Sequence, residues 1–251
     1  MSDIIQHLDE ITKATTVERV WALHTAKMAT YGFDRLLYGY TQFMGATSLG
    51  DPEDWFILST QTPEYLDTFV GEGLYFSAPM LRWAVENTGA CSWRMMHDRA
   101  AEETLSPSER KVLEFNISMD VVAGYTISFS SASSRSRGAI ALTAACGMSQ
   151  DDVDEVWARD GREIQLLNDV MHLKVQSLPH SGERNLTRRQ REVLQWVGDG
   201  KSIQDIAYLL GLTPATVEKH LRLAREALGV DTTPQAVLKA AMHNQLFIAE
   251  P

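Results

Sequence analysis

Cysteine is scarce in this chain. Cys91 and Cys146 are the only two, far apart and without the Cys-x-x-Cys or Cys/His spacing of a metal site. That favours reduced, buried thiols over a disulfide between the two. Long apolar runs are missing as well: none approaches the roughly 18 residues that a membrane helix needs. The opening MSDIIQHLDEITKATTVERV is acidic and amphipathic, with no basic region ahead of an apolar core. A cytoplasmic protein with no membrane partner is therefore expected. Phosphate-cradling loops and dinucleotide fingerprints are absent too. Cys91 and His97 stand close together, but no acid or Asn is placed with them in a nucleophile pattern. His7, His24 and His172 lie on helical stretches without ligand spacing. The expectation is a protein that is not an enzyme, with no catalytic residue, metal or resident cofactor.

At 251 residues the chain has room for two domains of ordinary size. Its net charge of −10 argues against a nucleic-acid partner until it is divided. Residues 186–251 hold eight Lys/Arg against seven Asp/Glu, +1, while residues 1–185 hold fifteen against twenty-six, −11. An acidic total can thus conceal a local phosphate-binding face.

Apolar spacing predicts two helices within residues 3–30, broken near Ala14–Thr16. RLLYGYTQF (35–43) and DWFILST (54–60) read as strands on either side of a Gly/Pro/Asp turn region. Residues 62–87 return to helical spacing around Pro79. GYTISFSSA (124–132) and GAIALTAAC (138–146) read as an antiparallel hairpin joined by the polar SSRSR. Residues 149–178 read as one long helix with Gly161 as its weak point. Its Val153, Val156, Ile164, Leu167, Val170 and Met171 exceed what one face of a sheet needs, so the helix is expected to supply a dimer seam. LPHSGERN then reads as a linker. The fold class expected is α+β: an α/β/α sandwich with an antiparallel sheet over 1–177, a linker at 178–185, and an all-α tetrahelical domain over 186–251.

The C-terminal punctuation is dense. Thr187, Ser202 and Thr213 stand at helix starts, the last followed by Pro214, and Thr233–Pro234 repeats that start. Gly200, Gly211 and Gly229 stand at helix ends. The helix–Gly–Leu–Thr–helix arrangement at 203–227 is a helix-turn-helix, whose second helix enters the DNA major groove. On that helix Thr216, Lys219, Arg222 and Arg225 fall outward, and Val217, Leu221, Ala224 and Leu228 inward. His220 is expected to be a packed, hydrogen-bonded core histidine.

LTRRQREVLQWVGDGKSIQDIAYLLGLTPATVEKHLRLAREALGV resembles the DNA-binding domain of LuxR-type transcription regulators. The matching residues include Leu186, Thr187, Glu192, Gly200, Lys201, Ser202, Ile206, Thr216, Val217, His220 and Gly229. The resemblance implies that Glu218, Lys219 and Arg222 read bases, and that Lys201, Thr213, Thr216 and Arg225 lie near phosphates. It also implies that the last helix helps pair two such domains, that the site is an inverted repeat in double-stranded DNA, and that RNA polymerase is a further partner of the homodimer.

Regulators with this domain differ upstream. A phosphate-accepting receiver needs about 120 residues of alternating strand and helix, whereas here strand 35–43 is followed by a strand. The upstream half instead resembles the autoinducer-binding domain of quorum-sensing regulators. Tyr65, Phe69, Ala78-Pro79 and Trp93 fall at the spacings of that family's Trp, Tyr, Asp-Pro and Trp. Gly124 resembles its glycine before a core strand, and Ala141 stands where a Ser or Thr often faces the ligand. The resemblance implies a pocket lined by Leu37, Gly39, Tyr65, Phe69, Ala78, Met80, Trp93 and Ala141, with Tyr75, Phe76 and Trp83 completing an apolar wall. In lactone-binding members the Trp donates to the lactone carbonyl, the Asp accepts from the ligand amide, and Tyr and Ser/Thr hydroxyls hold the acyl carbonyl; here Tyr65 replaces the Trp, and Phe69, Ala78 and Ala141 lack the other groups. The function expected is a regulator sensing a small apolar or atypical signal rather than an ordinary acyl-homoserine lactone. Two alternatives stand beside it: a lactone-responsive regulator with a modified pocket, and a ligand-independent one with a filled cavity. Tyr38, Tyr40, Gln61, Ser128 and Thr143 are candidate polar groups for such a ligand, which the sequence alone does not aim.

Overall fold

The computed structural model describes residues 3–45, 49–179 and 185–246. The chain divides into two compact units, one of Met1–Leu49 with Ile57–Val175, the other of Gly50–Phe56 with Gln176–Pro251. Most of the linker expected at 178–185 lies outside the described residues.

The first unit is built on a five-stranded sheet in the order β2-β1-β5-β4-β3. Its strands are β1 (Phe33–Thr41), β2 (Phe56–Ser59), β3 (Gly89–Ser92), β4 (Gly124–Ser128) and β5 (Arg137–Ala144). The pairs β1–β5, β4–β5 and β3–β4 are antiparallel. Helices α1 (Asp3–Lys13), α2 (Val17–Ala29) and α7 (Gln150–Ser177) cover one face. The break between α1 and α2 is set by Thr16, whose hydroxyl accepts from the Arg19 amide as an N-cap. Short helices α3 (Pro63–Leu66), α4 (Pro79–Glu86), α5 (Arg94–Ala101) and α6 (Pro107–Ser118) lie on the other face.

The two faces differ in bulk, which follows from strand alternation. Toward α7 the strands present Leu36, Tyr38, Ile127, Ile140 and Leu142, all fully buried. From α7 they meet Val153, Ile164, Leu167 and Met171, also fully buried. The seam expected from those residues therefore needs correction: they are turned into their own sheet, Val156 and Val170 are half-buried, and the exposed apolar residues of α7 are Leu166 and Leu173. Gly161 does not interrupt the helix. A Cβ there would come within 2.7 Å of the Trp157 indole, and that indole stacks on Tyr125 with centroids 3.9 Å apart. The glycine makes room for the ring.

The second unit contains α8 (Arg188–Gly198), α9 (Ile203–Leu210), α10 (Pro214–Leu228) and α11 (Thr233–Met242). Thr187, Ser202 and Thr213 cap the first three, while the fourth is capped by Thr232 rather than Thr233. Gly211 and Gly229 end α9 and α10 at φ of 63° and 62°, the left-handed region open to glycine. Val193, Leu194, Ile206, Val217, Ala224, Leu228, Ala236 and Ala240 form one core. Asp54, from the Gly50–Phe56 segment of this unit, pairs with Lys239 at 2.7 Å, both side chains almost fully buried.

Candidate ligand hollow and DNA-reading face

On the sheet face toward α3–α6, register places side chains in rows. One row is Leu37, Ala141, Thr126 and Cys91; the next is Gly39, Ala139, Ser128 and Gly89. Apart from Leu37 these are small residues, and those on β1, β5 and β4 stand in the interior of the sheet. Ala139 and Ala141, on the central strand, are nevertheless only half-buried. A methyl group placed on Gly39 would meet no atom within 4 Å. Small side chains, incomplete burial at the sheet centre and open space above Gly39 together describe a hollow in this face. Of the residues expected to line a pocket, Leu37, Gly39 and Ala141 form its floor.

The aromatic residues stand around that floor. Tyr65 is buried, stacks on Phe69 and Phe115 with centroids 5.2 and 5.3 Å away, and donates its hydroxyl to Asn116 Oδ1 at 3.2 Å. Burial holds the Tyr65 hydroxyl protonated, far above the ordinary phenol range. Trp93 lies over Gly124, where a Cβ would come 3.0 Å from its ring, and its indole N–H donates to Thr126 Oγ1 at 2.9 Å. Ala78 and Tyr75 are buried and Met80 and Trp83 half-buried, but Phe76 is 74% exposed and does not belong to the wall. Ala78 caps the N-terminus of α4 with no side-chain hydrogen bond.

The hydroxyl and amide groups beside the hollow are already engaged. Gln61 Nε2 donates to Thr143 Oγ1 at 3.1 Å, and the Ser128 hydroxyl donates to the Ala84 carbonyl at 2.6 Å. Tyr38 and Tyr40 point the other way, toward His172 on α7. Buried Glu109 ties three helices: it caps α6 through Ser106, accepts from Arg99 of α5 at 3.1 Å, and faces Arg82 of α4 at 3.4 Å. Burial alone would raise its carboxyl, but the Ser106 amide and hydroxyl and the Arg99 guanidinium outweigh it and hold the group at about 2. Phe115, Asn116 and Glu109 belong to a stretch whose function was not read from sequence; the Ser106-x-x-Glu109 capping box was its available signal.

In the second unit Glu218, Lys219 and Arg222 are exposed along one side of α10, and Thr213 and Lys201 are exposed at the starts of α10 and α9. Arg222 is paired with Glu226 at 2.5 Å one turn on, an exposed link that DNA can displace. Thr216 is half-buried, and its hydroxyl lies 2.9 Å from that of Thr213. Arg225 donates to Thr233 Oγ1 at 3.0 Å, so one of its nitrogens holds α11 in place while the others stay available. His220 is half-buried and, contrary to expectation, makes no hydrogen bond with its side chain among the described residues. Among the described residues no group of three or more His, Cys, Asp or Glu could hold a metal ion, and no helix is long and apolar enough to cross a membrane.

Comparison with known proteins agrees with this division. Residues 16–175 match the family described as autoinducer binding domain, and residues 184–240 match bacterial regulatory proteins, luxR family. The transcriptional activator protein ExpR of Dickeya dadantii is 24% identical over 201 residues, spanning 74% of this chain and 76% of its own. The quorum sensing-dependent transcriptional regulator RpaR of Rhodopseudomonas palustris is 28% identical over 194 residues, 76% of this chain and 71% of its own. Among solved structures, SdiA of Escherichia coli superposes with a TM-score of 0.55 at 15% identity, covering 98% of both chains.

Proposed function

From the premise that this chain belongs to the LuxR family of autoinducer-binding regulatory proteins, and is therefore a DNA-binding transcriptional regulator of the quorum-sensing type, we propose that its sensor takes a small, mainly apolar and atypical signal rather than an ordinary acyl-homoserine lactone. The observation that carries this is the hollow over Gly39, Ala139 and Ala141, beside which Thr126, Ser128, Thr143 and Gln61 are bonded to protein partners. A ligand amide buried there without an acceptor loses about 1–3 kcal/mol. Position 78, where a carboxylate would serve it, holds a buried alanine.

Two copies are proposed to act together. A pair of α10 helices related by a two-fold axis would read an inverted repeat, with half-sites about 34–36 Å apart. Lys201, Thr213, Thr216 and Arg225 would position the helix on phosphates, and Glu218, Lys219 and Arg222 would read base edges. Ligand binding would bias one arrangement of the pair by no more than its differential affinity for the two states.

The direct test is titration of the full chain with N-octanoyl-homoserine lactone, as wild type and as the Ala78→Asp, Phe69→Tyr double variant. Weak binding that tightens at least tenfold in the double variant supports a hollow without its lactone anchors. Tight binding by wild type contradicts it. The self-paired polar groups also favour a second reading, a regulator that needs no ligand. In that case Ala141→Trp, which fills the hollow, would leave DNA binding and its regulation unchanged.

A further inference from the structure

The face that floors the hollow carries two arginines, and they differ. Arg35, at one end of β1, donates through its two terminal nitrogens to the carbonyls of Asp120 and Ala144 at 2.9 Å each and of Met119 at 3.3 Å, and lies near Asp34 and Asp120; only its Nε lacks a hydrogen bond. Arg137 opens β5 at the other end, paired across the sheet with Thr41. Its neighbour Gly138 faces α7, where an added Cβ would strike His172 at 2.4 Å. By strand alternation, Arg137 belongs to the same face as Ala139 and Ala141, about 7 Å along the strand from Ala139. Arg137 is half-buried, and its Nε is buried with no hydrogen-bond partner. Among the described residues its side chain has no ion pair or hydrogen bond at all, although residues 1–185 contain twenty-six carboxylates. Glu109, the buried carboxylate of this layer, does not compete for it, since it is held by Arg99 and Arg82.

A buried guanidinium donor without a partner is costly, and its planar fork matches a carboxylate in two-point geometry. We infer that Arg137 is the polar anchor of the hollow, and that the ligand is an amphiphilic acid whose carboxylate meets Arg137 while its apolar tail lies over Gly39, Ala139 and Ala141. The inference rests on the hollow being a ligand site and adds the charge of the head group. The absence of a carboxylate at Ala78 acts in the same direction, because no anion there opposes the ligand. The aromatic stack of Tyr65, Phe69 and Phe115 borders the tail, so both straight-chain and phenyl tails fit the chemistry.

The test uses purified full-length protein and matched acid–amide pairs: octanoate with octanamide, and 3-phenylpropanoate with its amide, titrated by calorimetry at pH 7.5. N-octanoyl-homoserine lactone serves as a neutral control. At least one acid is expected to bind ten- to a hundredfold tighter than its amide. Arg137→Gln should remove that preference while leaving amide affinity unchanged, and Arg137→Lys should retain part of it. The acid–amide comparison needs no variant, so it decides even if Arg137→Gln fails to fold. Equal affinity for acid and amide in wild type, or an acid preference that survives in folded Arg137→Gln, overturns the inference. Binding of the lactone or amides alone also overturns it and leaves the ligand site standing. If no probe of either charge binds, the site reading falls and the anchor with it.

Discussion

The two units place their polar chemistry in opposite ways. In the C-terminal unit Glu218, Lys219 and Arg222 project into solvent from a helix whose other side is sealed into a core. In the N-terminal unit the hydroxyls and amide beside the hollow are bonded to protein partners, with Arg137 left over. A reader of DNA gains from exposed donors, because its partner arrives with a fixed array of phosphates and base edges. A sensor for a small molecule gains from having few open groups, since each buried group the ligand fails to satisfy costs free energy. On the proposed reading, selectivity in one unit comes from what is displayed, and in the other from what is left unsatisfied.

The largest effect expected is on the sheet itself. A Cβ at Gly124 would sit 2.2 Å from the Leu142 carbonyl oxygen, so Gly124→Ala should destabilise the sensor by about 3 kcal/mol. Gly39→Ala enters open space and should be neutral or stabilising, within about 1 kcal/mol. Urea unfolding of the two variants checks this; equal losses would erase the distinction between packed strand and hollow floor.

Acid should act selectively on the sensor. Burial pushes His24 down to about 4 against the charge-favouring Asn168 hydrogen bond, and burial likewise pushes His172 to about 4. Between about pH 6.5 and 4 the unfolded chain therefore binds more protons at these sites than the folded one, so stability falls as pH falls. The loss is about 2 kcal/mol per histidine between pH 7 and 5. Urea midpoints across that range should show it, with a smaller slope in His24→Gln; a flat profile would contradict it.

On the reading side, Arg222→Ala should cost about 1–3 kcal/mol of discrimination between a palindromic site and random duplex while leaving folding intact. Undiminished selectivity would remove Arg222 from the base-reading set. Lys201→Ala should weaken all duplexes alike and lower the salt dependence of binding by about one counterion. Loss of selectivity without that change in slope would move Lys201 from phosphates to bases.

The reader was largely legible in advance because caps and glycine stops are local chemistry. Ser202 with Asp205, and Gly211 and Gly229 at positive φ, act within a few residues of themselves. The start of α11 was misjudged, where two adjacent threonines offer the same cap, and so was His220, which is half-buried and lacks the expected hydrogen bond among the described residues. The sensor's long helix and most of its strands followed from periodicity, but β3 and the helices at 94–118 did not, since four residues of Gly, Ala, Cys and Ser carry no strand pattern. Arg137 escaped for a different reason. SSRSR reads as a polar connection, and only strand pairing with Thr41 moves its last arginine into the sheet. The stripe on α7 was real, but strength of pattern does not say which neighbour an apolar face meets; here it met its own sheet.

The most direct test of the account is native mass spectrometry of the protein purified from its own host, as wild type and as Ala141→Trp. The account predicts a dimer carrying one small organic molecule per protomer, absent from the filled variant. A wild-type dimer found only at its bare polypeptide mass, yet binding its operator selectively, would contradict the claim that the hollow is a sensor.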